Sequence, residues 1–282
     1  MMKYLKLRNP ESESMTEHYK DGVLYLTFPC LDREKWLLNA FSTRLGGVSR
    51  EHLSSMNFGL GKGDDPENIR ENFRRLAASV GFEAKKIVMS HQMHTTNVLQ
   101  VGMKDFKSSD EGVRVWTDAD GFITDEPGIL LTTFYADCVP LYIVDPVHHA
   151  IGLSHSGWRG TAAKMGKVTV EHMQKAFHSN PSDLIAAIGP SICQNCYEVS
   201  SDVAEQFPEQ VTRPHGEGHA LLDLTEANRL IFLEAGIPSS QISVSNLCTA
   251  CNQQMLFSHR ASGGKCGHLA AFMEIIPENQ PK

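Results

Sequence analysis

LLTTFYADCVPLYIVDPVHHAIGLSHSGWRGTAAKMGKVTVEHMQKAF, residues 130–177, is the stretch around which the rest of the chain is arranged. Three apolar runs lie in it, at 130–135, 139–144 and 150–153. Their length and their content of β-branched and aromatic residues predict three buried strands. Cys138 stands between the first two runs, and His155 just past the third. Ser156-Gly157-Trp158-Arg159-Gly160 then reads as a loop. A helical pattern follows, with Ala162, Gly166, Val170, Met173 and Phe177 on one face. A thiol, an imidazole and a guanidinium are thereby gathered where strands end and a helix begins. Sheet proteins often build their sites in such places, because rigid elements hold the loops that carry the chemistry.

Working outward, the chain has 282 residues, 41% of them hydrophobic and 21% charged, with mean hydropathy -0.25. This is a globular composition with enough length for a sizeable core. Net charge is -7 and pI about 6.0, so no broad basic face argues for nucleic acid. A phosphate-bearing small molecule would need only a local arginine or two. No apolar run reaches the roughly 18 residues of a membrane span, and MMKYLKLRNPESESM lacks the apolar core of a signal peptide. No membrane contact is expected. Seven cysteines without a secretory signal point to reduced thiols and a cytoplasmic location. Thirteen histidines hint at metal or acid–base chemistry.

Residues 1–15 read as a loose tail. Strands are predicted at 23–28 and 36–41. Ser42-Thr43-Arg44-Leu45-Gly46-Gly47 follows, either a tight loop admitting a ligand or an ordinary hairpin turn. Asp65-Pro66-Glu67 opens a helix that Ile69, Phe73, Leu76, Ala77 and Val80 make amphipathic and Gly81 closes. A strand at 87–89 runs into Ser90-His91-Gln92-Met93-His94-Thr95-Thr96-Asn97, read as strand or turn. On a strand His91 and His94 would face opposite sides, so at most one is expected at a site. Asp118-Ala119-Asp120-Gly121 reads as turn chemistry, without the spacing of a calcium loop. Later strands are expected at 184–188, 221–224, 242–244 and 269–275, and helices at 201–207 and 225–235. With no repeat or linker, one α+β or α/β domain spanning 16–282 is the economical reading.

Several chemistries compete for these residues. His94, Cys138 and His155 suit zinc, and three protein ligands leave a fourth position open. Cys138 with His155 as base would equally serve as a metal-free nucleophile. A buried cysteine with two hydrogen-bonded histidines is the bland alternative. Cys193-x-x-Cys196 and Cys248-x-x-Cys251 have the form of a zinc knuckle, but the stretch between the pairs is long and buried cysteines are common. The 157–160 loop is a candidate anion cradle, with Arg159 as clamp and Trp158 as either wall or core.

The motifs Phe41-Ser42-Thr43-Arg44-Leu45-Gly46-Gly47-Val48-Ser49, His91-Gln92-Met93-His94, Ala136-Asp137-Cys138-Val139-Pro140 and His155-Ser156-Gly157-Trp158-Arg159-Gly160 resemble the YfiH-type laccase-domain family. So do 188–199, with Cys196-Tyr197-Glu198-Val199, and Phe257-Ser258-His259-Arg260. The resemblance runs from about residue 20 onward. It implies an α+β domain of α/β/α layers, with mixed β-sheets flanked by helices. It implies one zinc on His94, Cys138 and His155, with copper as the alternative. Two kinds of activity have been attached to the family: polyphenol oxidation of the laccase type, and purine nucleoside chemistry. The latter comprises phosphorolysis of adenosine, guanosine, inosine and methylthioadenosine, and adenosine deamination.

A multicopper oxidase needs many histidines in close pairs, and His148-His149 is almost all this chain offers. A zinc nucleoside enzyme is therefore expected, with a nucleoside and phosphate as partners, acting as a monomer or weak homodimer. In that reading Cys138, His155 and Asp137 are catalytic, Arg44 and Arg159 hold phosphate, and Asn57 and His91 line the pocket. One departure stands out. The family usually carries a Gly-Arg pair near the C-terminus, where this chain has Gly267-His268.

Overall fold

The computed structural model describes residues 4–9, 15–82, 86–107 and 112–278. In chain order its strands are β1 (Thr16–Lys20), β2 (Val23–Thr27), β3 (Leu37–Ser42), β4 (Ile87–Ser90), β5 (Val98–Gln100), β6 (Val113–Trp116), β7 (Gly121–Thr124) and β8 (Leu130–Tyr135). There follow β9 (Val139–Asp145), β10 (Ala150–Ser156), β11 (Ile185–Ile188), β12 (Glu198–Ser200), β13 (Thr212–Pro214), β14 (His219–Leu222), β15 (Ile242–Val244) and β16 (Leu269–Ile275). The helices are α1 (Pro66–Val80), α2 (Trp158–Ala162), α3 (Met165–Phe177), α4 (Ser201–Ala204) and α5 (Leu224–Glu234).

Two mixed sheets stack face to face. One has the order β1-β2-β3-β16-β8-β4-β6 and the other β15-β11-β9-β10-β7-β5, while β12-β14-β13 form a small third sheet. Side-chain alternation explains the stacking. In β9, Tyr142 and Val144 join the core shared by both large sheets, whereas Val139, Leu141 and Ile143 join a second core against α3 and α5. In β16, Leu269, Ala271, Met273 and Ile275 face the shared core, while Ala270 and Phe272 pack toward α1 with Leu76. Both faces of these strands are buried, which is why their sequences are continuously apolar. The α+β class with flanking helices holds, and the layering is α/β/β/α, because the β layer between the helices is double.

Two expectations are corrected. The helix read from Ala162 to Phe177 is broken: α2 ends at Ala162, and Lys164 adopts φ 60° before α3 begins. The Thr161 hydroxyl donates to the Gly157 carbonyl at 2.9 Å and meets Ser156 Oγ at 2.9 Å, holding the first turn against β10.

The start of the chain is not a loose tail where it is described. Leu5 is buried in the shared core, and Leu7 forms a β-bridge with Leu247. The Lys6 amide donates to Asn252 Oδ1 at 2.6 Å and the Arg8 amide to the Asn246 carbonyl at 2.9 Å. Residues 1–3 and 10–14 lie outside the described residues, as do 279–282 at the end of the expected domain. Leu5→Ala should therefore destabilise the fold by about 2–4 kcal/mol in denaturant unfolding. A loss under about 0.5 kcal/mol, typical of a surface position, would restore the loose tail.

Candidate metal centre

The parallel strands β4, β6 and β8 run side by side in the seven-stranded sheet, as β6-β4-β8. After each of them the chain crosses to the six-stranded sheet. Because the three are parallel, the three crossings leave from one end of the sandwich. They carry His91 and His94 (between β4 and β5), Asp120 (between β6 and β7) and Asp137 with Cys138 (between β8 and β9). His155 arrives on β10, opposite Pro140 of β9, at that same end. The ligand atoms of His94, Cys138 and His155 all lie within 4.8 Å of one another.

Asp120 holds the crossings together. It is fully buried. Its carboxylate accepts from the amides of Met93 (3.1 Å), His94 (3.0 Å) and Thr95 (2.8 Å), and from the Thr95 hydroxyl (2.9 Å). His155 Nδ1 meets Asp120 Oδ1 at 2.9 Å, and the His155 amide donates to the Asp120 carbonyl at 2.7 Å. With Nδ1 engaged, His155 presents Nε2 to a metal, as metal-bound histidines usually do. Gln92 braces the same loop by pairing with both the amide (2.6 Å) and the carbonyl (2.9 Å) of Phe134. His94 sits at φ 61°, so 91–97 is a turn and not a strand. Both His91 and His94 consequently line the cavity, where strand geometry would have admitted one.

The donor set fits zinc. Tetrahedral zinc with these ligands sets ligand atoms about 3.3–3.8 Å apart, and Cys138 Sγ is 3.9 Å from His94 Nε2. Gly157 leaves room for them. A Cβ there would fall 2.9 Å from His94 Cδ2 and 3.0 Å from Cys138 Sγ.

The electrostatics favour a thiolate. Burial alone would raise the Cys138 thiol, but the charge of His155 and hydrogen bonds from His155 and His94 outweigh it and bring it to about 6. Burial alone would lower His155, but Cys138 and Asp120 raise it to about 9. Burial would likewise raise Asp120, and its bond to His155 and the Thr95 donors bring it below the usual carboxylate value.

The ligands open onto a cavity of about 540 Å³. Its wall includes Leu60, Lys62, Phe134, Tyr197, His259, Arg260 and His268. Arg260 lies over the Tyr197 ring, 5.1 Å from its centroid, and its amide donates to Asp137 Oδ2 at 2.7 Å. Burial and the neighbouring Cys138 charge push the Tyr197 phenol up to about 12, so it is a neutral donor. Burial, with Lys62 nearby, pushes His268 down to about 3, so it is a neutral imidazole. It faces this cavity as a neutral polar group.

Other predicted site residues lie elsewhere. Arg44 is not in the cavity wall. It donates to the carbonyls of Ser54 (2.7 Å) and Gln253 (2.8 Å), packs over Phe257 and faces a separate depression. Asn57 is fully buried, donating to Asp64 and accepting from the amides of Gly59 and His268, so it braces a loop and does not line the pocket. Arg159 is exposed and lies over Trp158, outside the wall. Trp158 packs against the second core, on a five-residue helix and not a cradle loop. Asp137 lines the cavity, but both its oxygens are engaged, one with the Thr249 hydroxyl at 2.6 Å and one with the Arg260 amide. His148 pairs with Asp145 and His149 stacks on Trp36, so neither joins the centre.

Comparison with known proteins bears on this geometry. The family described as multi-copper polyphenol oxidoreductase laccase matches residues 38–276. The chain belongs to that family. A laccase-domain relative, purine nucleoside phosphorylase YlmD of Geobacillus stearothermophilus, is 39% identical over 246 residues, covering 82% of this chain and 88% of that protein. Adenosine deaminase RL5, from an unknown prokaryotic organism, is 33% identical over 240 residues, covering 82% and 91%. The crystal structure of YlmD from Geobacillus stearothermophilus superposes with TM-score 0.86 at 35% identity, covering 94% of this chain and all of that one. The α+β fold of the laccase-domain family is thus shared nearly end to end.

Asp120→Asn should weaken metal binding about 10- to 100-fold while the fold persists, and Gly157→Ala should also weaken it by displacing the two ligands. Unchanged affinity in competition with a chelator would remove Asp120 and Gly157 from the centre. In chelated protein, alkylation of Cys138, followed by peptide mass spectrometry, should rise as pH passes about 6. A midpoint near the ordinary thiol value of ~8.5 would show that His155 does not hold the thiolate.

Proposed function

We propose that this chain is a zinc-dependent purine nucleoside enzyme, acting in phosphorolysis of adenosine, guanosine, inosine and methylthioadenosine and in adenosine deamination. One observation carries the reading: an open two-histidine, one-cysteine centre at the floor of a nucleoside-sized cavity whose wall holds both cations and an aromatic ring. The names of YlmD and RL5 support the same substrate class.

His94, Cys138 and His155 would hold the metal. A bound zinc supplies a Lewis acid and lowers the pKa of its water toward ~7. The chain's own residues supply the rest. Arg260 and Lys62 attract phosphate, and they replace Arg44 and Arg159 in that role because they are the cations in the wall. The Tyr197 ring, backed by the Arg260 guanidinium, offers a flat face to a purine. Leu60, Phe134 and Ala136 exclude water around it. Neutral His268 and the Tyr197 phenol exchange hydrogen bonds with base or ribose without adding charge. Asp137 positions Arg260 through its amide and Cys138 through the chain.

The family description names several coppers. Among the described residues, the groupings able to hold a metal are this centre and one four-cysteine cluster, neither of which is the histidine-rich array such an oxidase requires. A second reading has a specific observation behind it. Cys138, His155 and Asp120 form a nucleophile, base and orienting acid in sequence, with the thiol near 6 and the imidazole near 9. Such a metal-free cysteine hydrolase would act undiminished after chelation.

The test is base release from inosine, with and without phosphate. Turnover should need phosphate, be lost on chelation, return with zinc and disappear in Cys138→Ala. Arg260→Ala should raise the phosphate KM about 10- to 100-fold, the value of a charge-assisted hydrogen bond. Full phosphorolysis by metal-free protein or by Cys138→Ala would overturn the proposal, as would oxygen-dependent phenol oxidation without nucleoside turnover.

A further inference from the structure

Away from the candidate centre, the two CxxC turns converge. The Sγ atoms of Cys193, Cys196, Cys248 and Cys251 all lie within 4.8 Å of one another, and Cys196 Sγ is 3.6 Å from Cys251 Sγ. We propose that these four cysteines form a second, structural zinc site.

The fold builds this convergence deliberately. Strands β11 and β15 are parallel neighbours. Each leads directly into one of the cysteine segments, and Ser191 and Cys248 continue the pairing as a parallel bridge. The Thr249 amide donates to the Ser191 carbonyl at 3.2 Å. The long stretch between the pairs, which weakened the zinc-knuckle reading of the sequence, is simply the path through the small sheet and α5 back to the adjacent strand. Within each pair the chain makes a short 3-10 turn, at Gln194–Cys196 and Ala250–Asn252. Such a turn brings two thiols three residues apart to the same side.

The local groups suit thiolates. The amides of Cys193 and Cys251 both point at Cys248 Sγ, at 3.3 and 3.4 Å. Donors on sulfur offset the negative charge that accumulates when several thiolates share one cation. Four soft sulfur ligands in a tetrahedron select zinc or iron. Zinc–sulfur bonds near 2.3 Å give sulfur–sulfur edges of about 3.8 Å; here one edge is 3.6 Å and every edge is within 4.8 Å. A multi-iron cluster would hold its thiolates further apart. All four positions are protein ligands, so no site remains for water, and the centre is structural.

The site has a definite mechanical place. Cys193 and Cys251 lie beside Lys6, Leu7 and Arg8 of the docked N-terminal segment. Tyr197, next to Cys196, and Thr249, next to Cys248, reach the other centre: Tyr197 lines its cavity and Thr249 holds Asp137. A metal here would clamp two segments, beside the docked N-terminal one, and steady one wall of the cavity.

The measurement is metal content per chain by elemental analysis of protein purified under reducing conditions, independent of any nucleoside assay. The wild type should carry two zincs, Cys138→Ala one, and the Cys193→Ser/Cys248→Ser double variant one with a lowered melting temperature. Should that double variant not fold, cobalt substitution of Cys138→Ala keeps the question open to an answer. A sulfur-to-cobalt charge-transfer band of four-thiolate intensity is expected, and release of that metal by a thiol-modifying reagent should expose four thiols. Metal-free Cys138→Ala, bound iron in place of zinc, or a Cys196–Cys251 disulfide in the reduced preparation would each overturn the assignment.

Discussion

A buried carboxylate governs this molecule. Asp120 is out of water, and an ionised carboxylate can stay there only if its oxygens are supplied with donors. Three successive amides of the 93–95 turn, the Thr95 hydroxyl and the His155 ring do so. Each is a charge-assisted bond, and leaving one unmade in a dry site costs on the order of 1–3 kcal/mol. The carboxylate thus dictates the shape of the turn, including the left-handed backbone at His94, and it fixes which nitrogen His155 turns toward Cys138. One residue that ligates nothing decides how two ligands face a third.

The double sheet makes that arrangement available. Strands β4, β6 and β8 are parallel, so their three exits lie together and cross the same edge of the sandwich. Residues far apart in the chain become neighbours there without any long excursion. Such a rim is where a rigid scaffold can hold irregular loops, while β8, β9 and β10 behind it are buried on both faces. The second crossing region, beyond β11 and β15, repeats the principle with cysteines and shares Tyr197 and Thr249 with the first. The two sites are therefore mechanically linked through the wall of one cavity.

Chemically, the candidate centre is poised and not neutral in its choices. A thiolate and two imidazoles favour zinc over the oxygen-preferring cations. The cavity wall holds cations and an aromatic ring as well as the ligands, which is what a phosphate and a purine together require. The family's descriptive name points to oxidation by several coppers, whereas the metal-holding groups among the described residues are not the histidine-rich array such an oxidase requires. Name and geometry diverge because membership is decided by sequence motifs, and the same motifs hold the ligands whatever reaction they serve.

Much of this could be read before the fold was known. The apolar runs announced β8, β9 and β10, the Asp65-Pro66 cap and Gly81 bounded α1, and the motifs named His94, Cys138 and His155. Local chemistry decides such features: burial on two faces, a cap, a side chain that can ligate. The sequence alone did not reveal that Asp118-Ala119-Asp120-Gly121 is more than a turn, because the donors to Asp120 come from other segments. It offered Arg44 and Asn57 as binding residues, and only the packed structure turns them to carbonyls and a buried loop. It held Arg260, Lys62 and Tyr197 without a role, since no spacing connects them. The CxxC pairs were visible, but their meeting depends on two strands being neighbours. Residue types and local patterning determine which chemistry the chain can carry. Which side chains share a cavity is set by strand order, a long-range property that no local stretch encodes.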